Sequence, residues 1–273
     1  MEPTLEPAVE PDGPSGQMTF WEHLQELRSR LVRMVIILVG TFAVTYCFRF
    51  RLWAWAKKPF MDVLVVQRAK ALAHGATLPV ATDPFTYTSL TEPFFSLMRL
   101  SIWAAVFLAA PMLFHQIWAF IRPGLYPRER GWAMPFVVAT SLCFMAGSVF
   151  AYFNAFKFLG DILFQEAFSA GLRTNLTLDA YLDLFIYTVV GTGLMFELPV
   201  LVFFLARLRI LSARWMLKFW RHATIVIVTV SAFLTPGDVV VTTIFFSIVL
   251  LGLYFISIIV AWAAYPRGPR PIS

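Results

Sequence analysis

The chain has 273 residues, of which 59% are hydrophobic and only 14% charged, and its mean hydropathy is +0.72. Soluble domains are about 45–50% apolar and about 25% charged, so this composition excludes a water-soluble enzyme or a nucleic-acid-binding domain. The net charge of +6 does not indicate a nucleic-acid partner either, because the basic residues flank long uncharged segments, as they do in integral membrane proteins. The sequence therefore predicts a membrane protein.

The first eighteen residues are acidic and rich in proline, with Glu2, Glu6, Glu10 and Asp12 and no apolar stretch. This composition predicts a disordered tail over residues 1–18. The tail lacks the basic start and early apolar region of a cleavable signal peptide, so we expect it to be retained. Residues 265–273 are predicted to form a short basic tail.

Charged residues divide the rest of the chain into six apolar segments. A helix needs about 20 residues to cross about 30 Å of hydrocarbon, and most of these segments reach that length. The predicted spans cover about 31–50, 95–121, 132–157, 181–206, 219–234 and 239–263. The predicted fold class is therefore all-α and polytopic, with a single six-helix membrane domain over residues 19–264.

The fifth segment is unusually short. Its apolar stretch from Ala223 to Leu234 is twelve residues, or about 18 Å of helix. One interpretation is a single re-entrant unit over residues 223–263. The turn-forming sequence Thr-Pro-Gly-Asp over residues 235–238 favours two separate helices instead.

An even number of spans places both termini on one side of the membrane. The segment between the fourth and fifth spans contains five basic residues and no acidic one: Arg207, Arg209, Arg214, Lys218 and Arg221. The positive-inside rule then predicts that both termini are cytoplasmic.

Motifs for catalysis or metal binding are missing from the sequence. The four histidines are scattered without the spacing of metal ligands, and there is no HExxH, GxSxG or Walker A pattern. Cys47 and Cys143 lie in apolar segments and are interpreted as buried side chains rather than as a disulfide. We therefore expect no metal, no cofactor and no enzymatic activity.

The segment before the first span is predicted to begin a helix at the membrane surface. Thr19 and Glu22 form a capping box. Glu26 and Arg30 can pair one turn apart on the solvent-facing side. The apolar stripe at helical spacing consists of Phe20, Leu24, Leu27 and Leu31. Glu26 either forms only this salt bridge or is presented to a basic ligand.

Two further carboxylates allow a structural and a functional interpretation. Glu129, in the loop after the second span, either begins the next helix, where the helix dipole favours it, or accepts an arginine. Glu197 lies within the fourth span, where an ionised carboxylate costs several kcal/mol and should be protonated, paired or facing water. Pro199 is predicted to bend that helix, and His115 and Gln116 could line the same polar cavity as Glu197.

Four motifs, in this order along the chain, resemble the TatC family, the receptor and core subunit of the twin-arginine protein translocase. The resemblance covers about residues 18–263. The motifs are His23-Leu24-x-Glu26-Leu27-Arg28-x-Arg30-Leu31, the stretch from Gln116-x-Trp118-Ala119-Phe120 through Pro123-x-Leu125-Tyr126 to Glu129-Arg130, Phe196-Glu197-x-Pro199-Val200, and Thr235-Pro236-x-Asp238. One departure is Gly237, where the family has a second proline.

The resemblance implies a cupped arrangement of six helices in the bacterial inner membrane, with short last helices. It implies binding of twin-arginine signal peptides at the cytoplasmic face and assembly with TatA-like and TatB-like single-span subunits. It also implies self-association in a multimeric receptor complex and export of folded proteins driven by the proton-motive force.

The resemblance also assigns roles to individual residues. The implied signal-peptide site consists of Glu26, Arg28, Phe120 and Glu129. Glu197, together with Gln116, is expected to dock partner helices within the membrane. Pro59 and Asp238 match outer-face positions tied to assembly or transport.

The alternative is a proton-coupled transporter or channel in which Glu197 relays the proton. Such a protein is expected to have further ionisable groups deep in the spans. It is also expected to have matching interrupted helices in two inverted repeats. Only Glu197 lies deep, and spans one to three do not match spans four to six. An integral-membrane enzyme would need a catalytic constellation that the sequence lacks.

Overall fold

The computed structural model describes residues 20–73, 85–124, 131, 133–169, 176–234 and 240–265. The predicted tail over residues 1–18 and all of the C-terminal tail beyond residue 265 lie outside this range. So do two residues of the predicted sites, Glu129 and Asp238.

Helices account for most of the described chain. They are α1 (Phe20–Cys47), α2 (Arg49–Ala56), α3 (Lys58–Ala73), α4 (Glu92–Ile121), α5 (Ala133–Phe150), α6 (Phe156–Ser169), α7 (Leu178–Met195), α8 (Leu198–Arg207), α9 (Ala213–Lys218), α10 (Trp220–Leu234) and α11 (Val240–Ala264). A 3₁₀ turn at Arg122–Gly124 follows α4, and a π-helical segment at Ala151–Ala155 joins α5 to α6.

Five helical stretches in the described residues are long and apolar enough to cross a membrane. They are Trp21–Cys47, Glu92–Ile121, Met134–Phe164, Leu178–Arg207 and Val240–Ala264, and the shorter apolar helix Trp220–Phe233 is the sixth. The prediction of an all-helical polytopic protein with six membrane helices is confirmed. α10 and α11 are two separate helices, as the turn-forming sequence between them predicts.

The first two spans, α1 and α4, run antiparallel. The rings of His23 and Phe120 stack with their centroids 4.5 Å apart at one end of the pair. At the other end, Thr45 Oγ1 donates to the carbonyl oxygen of Ser101 at 2.8 Å. We call the end of the bundle with His23 and Phe120 the near end and the opposite end the far end.

An aromatic core fills the far end around Tyr181, which is fully buried at the start of α7. The ring centroids of Trp53, Phe60 and Phe85 lie 4.9–5.8 Å from that of Tyr181. Phe85 arrives there on a two-residue strand, β1 (Phe85–Thr86), which pairs in parallel with β2 (Leu176–Thr177). These strands have no signal in the sequence, because two residues are too few to show the alternation of a strand.

Both cysteines are free thiols. Cys143 is partly buried, but Cys47, the last residue of α1, is exposed. The predicted burial of Cys47 is therefore wrong. An apolar segment indicates that its residues lie within the membrane, but not which of them face the protein core. A small side chain such as that of Cys47 can also face lipid.

Candidate functional site

The candidate near-end site is built where α1 packs against α4. His23, Glu26 and Arg30 follow one another at spacings of three and four residues, so they share one face of α1. All three are partly buried. The stacked rings of His23 and Phe120 show that this face is the one in contact with α4.

The ion pair of Glu26 and Arg30 forms, but the predicted solvent-facing position is wrong. The side chains of Glu26 and Arg30 are only 16% and 17% exposed. The apolar stripe faces outward instead, with Leu24, Leu27 and Leu31 exposed at 39%, 40% and 55%. Polar groups of membrane helices face the protein interior and apolar groups face lipid, which reverses the pattern of a soluble helix.

The Glu26 carboxylate is engaged through only one of its two oxygens. Arg30 donates to Glu26 Oε1 from Nε at 3.0 Å and also from Nη2. Glu26 Oε2 is buried and receives no hydrogen bond from the described residues. A carboxylate can accept about four hydrogen bonds, so this group keeps capacity for another donor.

Gln116 faces the same contact from α4. It lies one turn before Phe120 on that helix, and the antiparallel register set by the two end contacts places it level with the Glu26–Arg30 turn. Its Oε1 atom is buried, and within the described chain it has no hydrogen-bond partner. Two unsatisfied acceptors therefore lie at one level between α1 and α4.

Not every residue of the predicted signal-peptide site lies in this contact. Arg28 is exposed and, two residues after Glu26, points away from the α4-facing side of α1. The loop with Glu129 lies outside the described residues. The structure thus groups Glu26 with Phe120, places Arg28 on the opposite side of the helix and leaves the position of Glu129 open.

Glu197 lies elsewhere, at a break in the fourth span. Phe196 and Glu197 form a turn between α7 and α8, and Pro199 is the second residue of α8, which confirms the predicted bend. The ring of Phe196 packs against Phe150 of α5 with centroids 5.5 Å apart. Glu197 Oε1 is buried without a hydrogen bond from any described residue.

Pro59 is fully buried at the second position of α3, where a proline is well tolerated because the first helical N–H groups have no intrahelical partner. It belongs to the far end, beside the aromatic core that contains Phe60. The structure therefore separates Pro59 from the near-end site by the thickness of the bundle.

Two arrangements in the structure were not predicted from the sequence. His23 was not assigned to the site, although its spacing from Glu26 and Arg30 marks one helical face. At the far end, Arg99 of α4 forms ion pairs with Asp179 and Asp183 of α7, the second at 2.6 Å. No local pattern connects residues that lie about eighty positions apart, so this second arrangement had no sequence signal.

Comparisons with known proteins agree with the geometry. Residues 22–262 match the family model described as "Sec-independent protein translocase protein (TatC)". Proteins of that name from Koribacter versatilis and Desulforapulum autotrophicum are 32% and 35% identical to this chain. The alignments cover 98% and 88% of the chain, and 95% and 83% of the two relatives.

A solved structure gives the same result for the fold. A crystal structure described as the twin-arginine translocase receptor TatC superposes with a TM-score of 0.73 at 26% sequence identity. The superposition covers 89% of this chain and 99% of that one.

Proposed function

The chain belongs to the TatC family of Sec-independent protein translocase components, and from that premise we propose that it is the subunit that recognises twin-arginine signal peptides. The recognition site in this proposal consists of Glu26, Phe120 and Glu129, and it leaves out Arg28, which lies on the opposite side of α1. The near end is then the cytoplasmic end, with both termini on that side. The chain itself catalyses no reaction.

One observation carries the proposal: Glu26 is held in the contact of α1 with α4 and retains a carboxylate oxygen without a hydrogen bond from the described residues. A guanidinium group presents donors in a planar fork that matches a carboxylate. The stacked rings of His23 and Phe120 lie one turn away on the same face and provide an aromatic surface for an arginine side chain.

The charge distribution favours selectivity over general attraction. Glu26 lies among Arg28, Arg30 and Arg33, so a generic cation is repelled by its surroundings. A ligand with two guanidinium groups can offset that repulsion by forming two strong charge-assisted hydrogen-bonded contacts, one with each carboxylate.

In this proposal the remaining site residues serve assembly and transport. Glu197 docks TatA-like and TatB-like single-span subunits within the membrane, without Gln116, which lies in the contact of α1 with α4. Pro59 and Asp238 support assembly at the outer face. Copies of the chain associate in a multimeric receptor complex. The proton-motive force drives export of folded proteins.

Photo-crosslinking of signal peptides to the membrane-embedded protein tests the recognition site. Peptides with Arg-Arg and with Lys-Lys are compared on the wild type, Glu26→Ala and Glu129→Ala, with Glu22→Ala as the control one turn before Glu26. We expect each site variant to lose roughly 10- to 150-fold in affinity for the Arg-Arg peptide, the cost of removing one charge-assisted contact. Glu22→Ala should bind like the wild type.

The same experiment can reject the proposal. If both site variants keep the full preference for Arg-Arg at normal protein levels, Glu26 and Glu129 have only structural roles. Their loss would then lower stability without changing which peptide binds.

A further inference from the structure

Arg30 already occupies the position at which a ligand guanidinium would contact Glu26. Its Nε and Nη2 atoms both donate to Glu26 Oε1, and its side chain is only 17% exposed. The neighbouring Arg28 and Arg33 are exposed. Among these three arginines, therefore, Arg30 is the one bound to the carboxylate.

The contact is incomplete compared with the usual pairing of arginine and carboxylate. In a fork-to-fork pair, two N–H groups contact two different oxygens. Here both donors contact Oε1, while Oε2 is buried and accepts no hydrogen bond from any residue that the structure describes. Because both Arg30 donors occupy Oε1, an incoming guanidinium cannot contact both oxygens of Glu26 while Arg30 keeps its place.

We propose that Arg30 is an internal ligand of Glu26, which a signal-peptide arginine must displace. This inference rests on the proposed function, because it assumes that Glu26 is a recognition carboxylate. It assigns Arg30 a role in setting affinity. The apparent affinity for the peptide is proportional to the fraction of molecules in which Arg30 does not hold Glu26. The arginine fork of the peptide replaces the contact that Arg30 gives up.

The proposal also specifies what Arg30 does not do. Arg30 reduces the affinity of Arg-Arg and Lys-Lys peptides by the same factor, because both need Glu26 released. The ratio between the two affinities comes from how each side chain fits the carboxylate. Arg30 therefore sets a threshold that the weaker Lys-Lys ligand fails to reach at low concentration.

The test measures the affinity of labelled peptides for the purified full chain by fluorescence anisotropy. Arg30→Gln is expected to bind the Arg-Arg and Lys-Lys peptides about two- to tenfold more tightly, which corresponds to the loss of one helical ion pair at partial burial. Arg30→Lys keeps the charge but loses the fork, so it should show a smaller gain in the same direction. A gain at unchanged charge cannot come from reduced general repulsion.

Two controls separate the inference from its alternatives. Arg33→Gln removes a neighbouring charge without touching Glu26 and should change affinity by less than about twofold. In a Glu26→Gln background, Arg30→Gln should give no gain, because the contact that it releases is already gone.

Three outcomes would overturn the proposal. Weaker binding by Arg30→Gln or Arg30→Lys, at an unchanged melting temperature, would make Arg30 part of the ligand-binding surface. An equal gain for Arg33→Gln would attribute the effect to charge alone. If Arg30→Gln still increases peptide affinity in the Glu26→Gln background, the increase does not come from releasing Glu26. If instead Glu26→Gln binds peptides like the wild type, it is the proposed recognition site itself that fails.

Discussion

The hydroxyl group of Tyr152 donates a hydrogen bond of 3.0 Å to the carbonyl oxygen of Trp55, 97 residues earlier in the chain. Trp55 lies four residues before Pro59, and α2 and α3 are nearly continuous there, since Lys57 N donates to Trp53 O and Met61 N to Lys57 O. In an ordinary helix the N–H of residue 59 would bond to the Trp55 carbonyl, but proline has no N–H. Tyr152 supplies the missing donor.

Tyr152→Phe is therefore expected to lower the free energy of unfolding by about 0.5–1.5 kcal/mol, because it removes this hydrogen bond to the Trp55 carbonyl. The measurement is thermal unfolding of the purified protein. Tyr187→Phe, at a position that is 60% exposed, is the matched control and should change stability by less than about 0.5 kcal/mol.

Restoring the backbone donor tests the explanation directly. In a Pro59→Ala background the new N–H of residue 59 can bond to the Trp55 carbonyl, so Tyr152→Phe should cost less than it does in the wild type. An equal cost in both backgrounds would show that the tyrosine hydroxyl does not compensate for the proline.

Features that depend on spacing within one segment could be predicted from the sequence, and features that depend on the packing of distant segments could not. The six membrane helices, the Glu26–Arg30 pair and the bend before Pro199 all depend on spacing within one segment, and each is present. The contact of Tyr152 with Trp55 depends on how distant segments pack, and it has no local signal. The same holds for the ion pairs of Arg99.

The wrong orientation of the Glu26–Arg30 pair has a different cause. Helical periodicity divides α1 correctly into an apolar and a polar side. It does not say which side contacts the rest of the protein. The apolar side does so in a soluble protein and the polar side in a membrane protein, and this helix begins at the membrane surface. The partner helix α4 decides that question, and the stack of Phe120 on His23 shows the result.

Gly147 allows α5 and α7 to approach closely beside the bend. A Cβ atom at this position would lie 2.8 Å from Phe196 Cβ and Cγ and 2.8 Å from the carbonyl oxygen of Thr192. Gly147→Ala is therefore expected to destabilise the protein by about 1–3 kcal/mol, since a backbone oxygen cannot move aside as a side chain can.

The matched control for this substitution is Gly252→Ala in α11. A Cβ atom there meets nothing within 4 Å, and alanine favours the helix by about 0.5–1 kcal/mol. The two substitutions should therefore shift the melting temperature in opposite directions. A neutral Gly147→Ala would mean that α5 and α7 can separate without cost.

Arg209 adopts a left-handed backbone conformation, with φ 58°, just after α8. Its N–H donates to the carbonyl of Ala206 at 3.1 Å, and the N–H of Ile210 donates to Leu205 at 3.0 Å, which closes the helix end. Arg209→Gly should stabilise the protein by about 0.5–1 kcal/mol, because glycine avoids the steric cost of this conformation but has more freedom in the unfolded chain.

Arg214→Gly removes the same charge from the nearby helix α9 and provides the comparison. Glycine within a helix costs about 1 kcal/mol relative to a good helix former, so this variant should melt at a lower temperature than the wild type. If Arg209→Gly also lowers the melting temperature, the side chain of Arg209 contributes more than its backbone strain costs.

The last prediction concerns the two carboxylates that differ most in their hydrogen bonding. Glu92 accepts hydrogen bonds from Thr88 N at 2.7 Å, Thr88 Oγ1 at 2.8 Å and Asp179 N at 3.2 Å. Glu197 has a buried oxygen that accepts none from the described residues. Neutralising Glu92 should therefore lower stability, whereas neutralising Glu197 should raise it, by about 1 kcal/mol.

Glu197→Gln separates a structural role from the proposed role in docking. A residue kept at the expense of stability is expected to serve function, so the variant should melt at a higher temperature, retain less of a co-expressed single-span subunit on purification, and bind signal peptide like the wild type. Glu92→Gln, the control, should melt at a lower temperature. If Glu197→Gln also melts at a lower temperature and keeps its partner subunit, Glu197 stabilises the fold and another residue docks the partner.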